Sequence, residues 1–268
     1  MQSQFICPKC QKPLSIAGGA YKCHEGHSYD ISKQGYVNLL PPSSKGVHGD
    51  NKEMIKARRA FLDQGYYKPL ADALVNAIGS YWSRQEGALL DAGCGEGYYT
   101  QYLEVLPGLC CCGIDISKDA LILASKRLKN TSLAVASVYH MPFDASSFDI
   151  ITNVFAPFDR NEYHRVLKEN GRIYIVIPDE NHLFELKAAI YDTPYKNQLS
   201  PFELEGFELL SESRLSYSID LNSSSDLQAL FKMTPYYYRT SVQNRARLDS
   251  LNRLETTAEF VILEYLKK

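Results

Sequence analysis

No stretch of the chain approaches the ~18 consecutive apolar residues that a membrane-spanning helix requires. Its start, MQSQFICPKC, has neither the basic opening nor the apolar core of a secretion signal. The expectation is a cytoplasmic protein with no membrane partner. A disulfide framework is missing as well. The seven cysteines, Cys7, Cys10, Cys23, Cys94, Cys110, Cys111 and Cys112, are odd in number and include a run of three. Without a secretion signal, that pattern argues against structural disulfides. Net charge is small, only −2, and excludes no class of partner. No internal repeat is visible.

What is present suits a soluble globular protein: 45% hydrophobic and 22% charged residues, enough to build a sizeable core. A length of 268 residues fits one medium domain plus a small module, or one large domain. Charge is unevenly spread. Residues 1–70 carry ten Lys/Arg against five acids, a balance of +5, and the remainder carries nineteen against twenty-six, a balance of −7. That asymmetry is as compatible with a nucleic-acid-facing N-terminus as with ordinary solvated faces.

Residues 5–40 show no helical periodicity long enough for an independent apolar core, so this segment needs a metal or disulfides to fold. PPSSKGVHGDNK at 41–52 reads as a flexible linker. The spacing of Met54, Ile55, Ala57, Phe61 and Leu62 predicts a helix over 52–64 with Gly65 as its C-cap, and a second helix runs from about Lys68 to Trp82. From Gly87 the chain alternates: ALLDAG strand, YYTQYLEVL helix, CCCGIDI strand with Cys110 to Cys112 as small core residues, and SKDALILASKRLK helix capped by Ser117. Strands at 133–137 and 148–155, a short helix with Tyr163, Val166 and Leu167, and a strand at 172–178 follow. Such alternation implies βαβ units and a mainly parallel sheet, an α/β Rossmann-like fold. Helices near 182–191, 225–232 and 240–253, and strands near 207–217 and 260–266, complete the chain. The division is a zinc-binding module at 1–40, the linker at 41–52 and an α/β domain at 53–268.

Cys7-Pro8-Lys9-Cys10 followed by Cys23-His24-Glu25-Gly26-His27 has the form C-x2-C-x12-C-x3-H, with the ligand types and spacing of a structural zinc site. Cys7, Cys10, Cys23 and His27 are the expected ligands, and His24 is the rival fourth. Four protein ligands leave no open position for a water, so the zinc is expected to be structural.

Leu89-Leu90-Asp91-Ala92-Gly93-Cys94-Gly95-Glu96-Gly97 is a buried strand running into a glycine-rich turn that opens a helix. Gly93, Gly95 and Gly97 let backbone approach a bound nucleoside closely. Tyr98 stands where a dinucleotide fingerprint wants glycine or alanine, and no Gly-Lys-Ser/Thr follows, so a cofactor without a pyrophosphate fits best. Asp115, 18 residues after Gly97 at the end of the next strand, could accept hydrogen bonds from ribose hydroxyls.

DAGCGEG followed by GIDIS resembles motifs I and II of class I S-adenosylmethionine-dependent methyltransferases. HMPF, FDIITNVF and RVLKENGRIYIVIP resemble the later strands of that fold, with Glu169-Asn170-Gly171 where Pro-Gly-Gly is common. Over nearly its full length the chain is similar to the bacterial 23S ribosomal RNA guanine-N1 methyltransferases. The residues that carry this are FICPKCQKPL, DISKQGYVNLL, ARRAFLDQGYY, LDAGCGEGYYT, VFAP, NHLFELK and MTP.

The resemblance implies methyl transfer from S-adenosylmethionine to N1 of a guanosine in a 23S ribosomal RNA stem-loop, with the zinc module engaging RNA. It puts cofactor contacts on Tyr67, Gly95, Glu96 and His182, with Asp115 at the ribose, and a homodimer is compatible with it. Asn153, Phe155 and Pro157, at the end of FDIITNVFAP, are the candidates for lining the acceptor pocket. The chain has no Asp/Asn-Pro-Pro-aromatic tetrad of exocyclic-amine methyltransferases and no Pro-Cys pair for cytosine C5 chemistry. Ring-nitrogen methylation or a small-molecule acceptor survives. A non-catalytic RNA-binding protein that retains the cofactor is the third reading. Tyr21, Tyr29, Tyr36 and Tyr66 offer either stacking faces for bases or packing for the module, and Tyr236-Tyr237-Tyr238-Arg239 could serve either purpose.

Overall fold

The computed structural model describes residues 2–41, 49–83 and 85–268. Its first four strands, β1 (Gln2–Ile6), β2 (Pro13–Ala17), β3 (Ala20–Lys22) and β4 (Ser28–Asp30), form an antiparallel sheet in sequence order. Gly18 and Gly19, both at positive φ (61° and 76°), make the two-residue turn of the β2–β3 hairpin, where Ala17 pairs with Ala20. Phe5, Ile6, Cys7, Leu14, Ala20, Tyr21 and Cys23 are buried. Most of the expected linker, 42–48, lies outside the described residues. At its far end the Asn51 side chain accepts from the Met54 N–H and caps α1 (Lys52–Asp63), which buries the five apolar residues expected of it. After β5 (Val37–Asn38) and α1, α2 (Lys68–Tyr81) starts with Pro69 in its first turn and buries Leu70, Ala71, Leu74 and Ile78.

The rest alternates as β6 (Gly87–Ala92), α3 (Thr100–Leu103), β7 (Leu109–Asp115), α4 (Lys118–Arg127), β8 (Thr131–Val135), β9 (Phe148–Val154), α5 (Arg160–Val166) and β10 (Leu167–Pro178). Then come α6 (Phe184–Ile190), β11 (Phe207–Leu221), α7 (Ser224–Met233), α8 (Tyr236–Arg239), α9 (Val242–Asp249) and β12 (Leu254–Lys267). The eight-stranded sheet has the order β11-β12-β10-β9-β6-β7-β8-β5. Strands β5 to β10 pair in parallel, while β12 inserts antiparallel between β10 and β11. β9 is buried at every position, as a parallel strand covered on both faces must be. Neighbouring Leu89 and Leu90 fall into two different core clusters, following the period-two alternation of a strand.

Strand order reverses at β6, whose successors lie on one side (β7, β8) and then the other (β9, β10). That reversal opens a crevice at the carboxyl ends of the strands, where ligands of open α/β sheets bind. The N-terminal module docks against the same sheet. β5, within the expected 1–40 module, pairs with β8, and the Ile6 N–H donates to Pro142 O at 2.9 Å. The Phe5 ring stacks on Phe143 at 5.4 Å, so the module's core continues into that of the large domain.

Three local expectations are corrected. Cys111 and Cys112 are buried, but Cys110 is exposed at the start of β7, before the strand enters the sheet interior. The helix expected over YYTQYLEVL shrinks to the four residues of α3, because Gly97 at φ +81° delays its start and Pro107-Gly108 follows. β12 is 14 residues long, twice the apolar run visible in FVILEYL, because pairing with β11 extends it through a polar segment.

Candidate functional site

Cys7 and Cys10 come from the turn after β1, and Cys23 and His27 from the turn between β3 and β4. One ligand atom from each of the four lies within 4.8 Å of all the others. The His27 Nδ1 is 3.4 Å from both Cys7 Sγ and Cys23 Sγ, and Cys10 Sγ is 3.6 Å from Cys23 Sγ. A zinc tetrahedron with bonds of about 2.3 Å to sulfur and about 2.0 Å to nitrogen has edges of about 3.8 Å and about 3.5 Å. The donor set therefore fits a tetrahedral metal without rearrangement. His24 is exposed and outside this cluster. The Tyr29 hydroxyl lies 3.2 Å from Cys7 Sγ, placed to donate to a thiolate. Burial opposes ionisation of Cys7, but this hydroxyl and the N–H groups of Cys10 and Lys9 outweigh it and bring the thiol down to about 6.

The glycine loop leaves β6 at the crevice. A Cβ on Gly93 (φ +85°) would stand 2.4 Å from the Ala156 Cβ, so this position brings the loop against the turn that follows β9. A Cβ on Gly95 (φ +55°) would meet nothing within 4 Å, leaving open space over bare backbone. The Asp115 carboxylate accepts from Gly95 N–H at 2.9 Å and Ser117 N–H at 2.7 Å, which fixes it beside that space with acceptor capacity left over. Burial raises its pKa, and the two backbone donors offset part of the rise.

The Glu96 carboxylate is buried, and its Oε1 has no hydrogen-bond partner among the described residues. Its Oε2 pairs with Arg127 at 2.8 Å and lies 3.8 Å from Arg59, tying the loop to α4 and α1. Burial pushes it up to about 7 against the two guanidinium groups. Behind the loop, buried Asp91 accepts from Thr100 Oγ1 at 2.5 Å and Thr152 Oγ1 at 3.0 Å, and burial raises it to about 6.

Across the crevice, Asn153 is buried and fully engaged: its amide donates to Pro157 O (2.9 Å) and Tyr163 OH (2.7 Å) and accepts from Ala156 N–H (3.3 Å). It holds the turn and has no amide hydrogen left for a ligand. Phe155 is the residue this turn presents, at φ +56° and 44% exposed, a left-handed conformation costly for a side chain of this size. Pro157 is exposed beside it. Behind Phe155 stands an aromatic wall. Phe155 is 6.3 Å from Tyr99 and 5.6 Å from Phe260, and Phe260 is 4.7 Å from His182 and 5.0 Å from Tyr67. Tyr67 and His182, 115 residues apart, meet with Tyr67 OH 3.3 Å from His182 Nε2. His182 Nδ1 accepts from the Glu259 N–H at 3.2 Å, and burial lowers its pKa to about 3.

The structure thus gathers Tyr67, Gly93, Gly95, Asp115, Phe155 and His182 around one end of the sheet, sets Gly97 against Ala124 and Leu128, ties Glu96 Oε2 into an ion-pair cluster and engages the Asn153 amide in holding the turn. Sequence reasoning missed Tyr99 and Phe260. Tyr99 was visible as one of two tyrosines after the loop, whereas Phe260 carries no local signal, being one apolar residue among many in its strand. Tyr21 and Tyr36 are buried, Tyr29 reaches the metal ligands, and Tyr66 donates to Asp226, so these rings pack the protein. Lys9, Lys12, Lys22 and Lys33 lie exposed on the module.

Comparison with known proteins follows the same division. Residues 5–47 match a family described as RlmA, N-terminal, a zinc ribbon, and residues 90–175 match a methyltransferase domain. YxjB of Bacillus subtilis (strain 168), assigned to the 23S rRNA (guanine-N1)-methyltransferases, is 32% identical over 99% of this chain and 98% of its own length. The 23S rRNA (guanine(748)-N1)-methyltransferase of Streptomyces fradiae is 32% identical over 81% of this chain and 79% of its own. Among solved structures, a chain of the complex between the Haloferax volcanii Trm112 methyltransferase activator and a methyltransferase superposes with a TM-score of 0.50. It is 16% identical and covers 82% of this chain and 99% of that one, a likeness of fold alone.

Proposed function

Because the chain belongs to the family of 23S ribosomal RNA (guanine-N1)-methyltransferases, we propose that it methylates N1 of one guanosine in a stem-loop of 23S ribosomal RNA. The observation that carries this is the extent of the likeness. It runs through the zinc ribbon and the methyltransferase domain together, along 99% of the chain. Exposed Lys9, Lys12, Lys22 and Lys33 on the four-ligand metal module offer cationic partners to RNA phosphates.

Bound S-adenosylmethionine supplies a methyl group made electrophilic by its sulfonium. The protein's part is positioning and exclusion of water. Gly95 keeps the loop backbone bare for the nucleoside, Gly93 and Gly97 let the loop pack against Ala156 and against Ala124 and Leu128, and Asp115 receives the ribose hydroxyls. Tyr67 and His182 close the far side. Phe155 and Pro157 line the acceptor pocket, with Asn153 fixing the turn that presents them. Stacking of a splayed base on an exposed ring is the usual mode of reading single-stranded RNA, and Phe155 offers such a ring. Zinc on Cys7, Cys10, Cys23 and His27 is structural, since four protein ligands leave no position for substrate.

In this reading residues 1–40 form the RNA-engaging module, 41–52 a linker and 53–268 the catalytic domain. The protein works in the cytoplasm, where its substrate is, and as a homodimer, which sedimentation velocity would test. The function itself is tested by incubating the protein with labelled donor and 23S RNA from a strain lacking the gene. Label should appear as N1-methylguanosine at one position by mass mapping. Absence of label from every ribosomal RNA, or its appearance on another base, would overturn the proposal.

A further inference from the structure

The run Tyr236-Tyr237-Tyr238-Arg239 divides between two uses. Tyr236 and Tyr237 are half-buried and pack the fold: Tyr236 stands 6.5 Å from Tyr191, and the Arg245 guanidinium lies 4.4 Å over Tyr237. Tyr238 and Arg239 face outward, with Tyr238 53% exposed. Every described arginine except Arg239 and Arg245 forms an ion pair with a carboxylate. Arg245 donates to Tyr237 O and Thr240 O, which leaves Arg239 as the arginine with neither hydrogen bond nor ion pair among the described residues. Charge also sets this stretch apart. Residues 232–253 carry Lys232, Arg239, Arg245, Arg247 and Arg253 against Asp249 alone, a balance of +4. The whole of 71–268 carries −7, so the remainder of that domain stands at −11. A cationic, tyrosine-rich arm on an otherwise acidic domain is the pattern of a nucleic-acid contact.

The arm also stands at the crevice. On one side the Asn51 amide donates to the Tyr238 oxygen. A Cβ on nearby Gly49 would come 2.9 Å from the Ser117 Cβ, so this segment runs tightly against the turn whose Ser117 N–H holds Asp115. On the other side Tyr236 lies within electrostatic reach of Tyr67. α8 therefore spans the rim from Asp115 towards Tyr67. Phe5, Leu14 and Tyr21 of the zinc module belong to the core on one face of the sheet, and Leu227, Phe231 and Leu248 of α7 and α9 to the core on the other. RNA entering at the carboxyl ends of the strands is thus flanked by the module's lysines on one face and by Tyr238 and Arg239 on the other. We propose that α8 and the start of α9 form a second RNA-binding surface, with Tyr238 stacking on a base beside the target guanosine and Arg239 neutralising a backbone phosphate. This rests on the methyl acceptor being RNA. Arg239 breaks no ion pair by turning to a phosphate, as the paired arginines would have to. Stacking on an exposed ring tolerates any base and phosphate contact reads none, so the arm supplies grip and register while the acceptor pocket chooses the base.

The test is methylation kinetics on the full-length, zinc-loaded protein with labelled donor and 23S RNA from a strain lacking the gene. Arg239→Gln should raise KM for the RNA and lower the slope of log KM against log salt by about 1, the mark of one lost phosphate contact. Tyr238→Ala should raise KM about five- to hundredfold, the range for one stacked base, with the salt slope kept. Tyr238→Phe keeps the ring and should stay within about twofold of the native protein. S-adenosylhomocysteine affinity and thermal melting should be unchanged in all three. Lys129→Gln, exposed at the opposite end of the sheet just before β8, is the charge control and should behave as native protein. Native KM and salt slope in Arg239→Gln and Tyr238→Ala would overturn the proposal. So would equal effects of Lys129→Gln and Arg239→Gln, which would reduce the arm to net charge, or a matching loss of S-adenosylhomocysteine affinity, which would make it a prop of the donor site. Native protein that methylates no RNA would instead sink the reading on which this inference rests.

Discussion

His182 sits between a backbone N–H of β12 and the Tyr67 hydroxyl, buried to 7% exposure, and only its neutral form suits both contacts. Its folded pKa of about 3 lies below the ordinary 6.5. The unfolded chain therefore binds the proton first, and its contribution to stability is complete above about 6.5 and lost progressively as pH falls towards 3. Each tenfold change in proton affinity is worth ~1.4 kcal/mol, so the full loss is on the order of a few kcal/mol. His182→Asn should remove that dependence. Urea melts of both proteins between pH 7 and pH 4 should show the native protein losing the larger share of its stability, and parallel losses would contradict the burial of this ring.

Phe155 belongs to the same scale. Stacking one base on an aromatic ring contributes roughly 1–3 kcal/mol. Phe155→Ala should therefore lower kcat/KM for RNA about tenfold or more while leaving S-adenosylhomocysteine affinity within about twofold. Loss of cofactor binding instead would move Phe155 from the acceptor pocket to the donor pocket. The ring's prominence could be suspected from VFAP at a strand end. Its left-handed backbone and 44% exposure could not, because they follow from the hydrogen bonds of Asn153, whose partners include Tyr163 ten residues on.

At the scale of elements, the glycine loop makes two different demands that look alike in DAGCGEG. Gly93 answers to the protein, since its Cβ would meet Ala156 at 2.4 Å. Gly95 is under no such constraint, since its Cβ would enter open space, where we propose that the cofactor lies. Left-handed backbone costs a side chain ~1–2 kcal/mol, and overpacking a further ~1–3 kcal/mol. Gly93→Ala should lose roughly 2–5 kcal/mol of stability by denaturant unfolding, and Gly95→Ala only the ~1–2 kcal/mol of backbone strain. The order reverses for the ligand. Measured on the folded fraction, Gly95→Ala should weaken S-adenosylhomocysteine binding about tenfold or more by filling the cradle. If Gly95→Ala binds as well as the native protein, the cofactor does not lie over that backbone. Periodicity and capping reveal most elements here, because Ser117, Asn51 and the alternating apolar runs act locally. The lengths of α3 and β12 escape such reading because Gly97 and the β11 pairing govern them.

At the scale of the molecule, the zinc module and the methyltransferase domain share a core rather than hang on a tether. β5 pairs with β8, and Phe5 stacks on Phe143. Zinc removal should therefore be felt beyond the module. Structural zinc contributes about 10–16 kcal/mol in small zinc-dependent folds, more than four short strands could replace. Strong chelation, or Cys10→Ser, should abolish amide-exchange protection in β1 to β4 and weaken it in β8 while sparing β6 and β9. Undiminished protection in β1 to β4 with metal content at zero would refute the structural role.

The sequence by itself determined three cysteine ligands and two candidate histidines for the module, the α/β class, the cofactor loop and the acid that follows it, because each is carried by residue types at spacings that can be read along the chain. Tertiary structure decided what distance in sequence conceals. It seated His27 rather than His24 with the three cysteines, and it turned the Glu96 carboxylate into an ion-pair cluster. It brought Tyr67 to His182, put Phe260 behind both and left the buried Tyr99 hydroxyl without an acceptor among the described residues. The physical reason is that such contacts are set by which strands become neighbours. The reversal of strand order at β6 is a property of the whole packed sheet, and no window of sequence contains it.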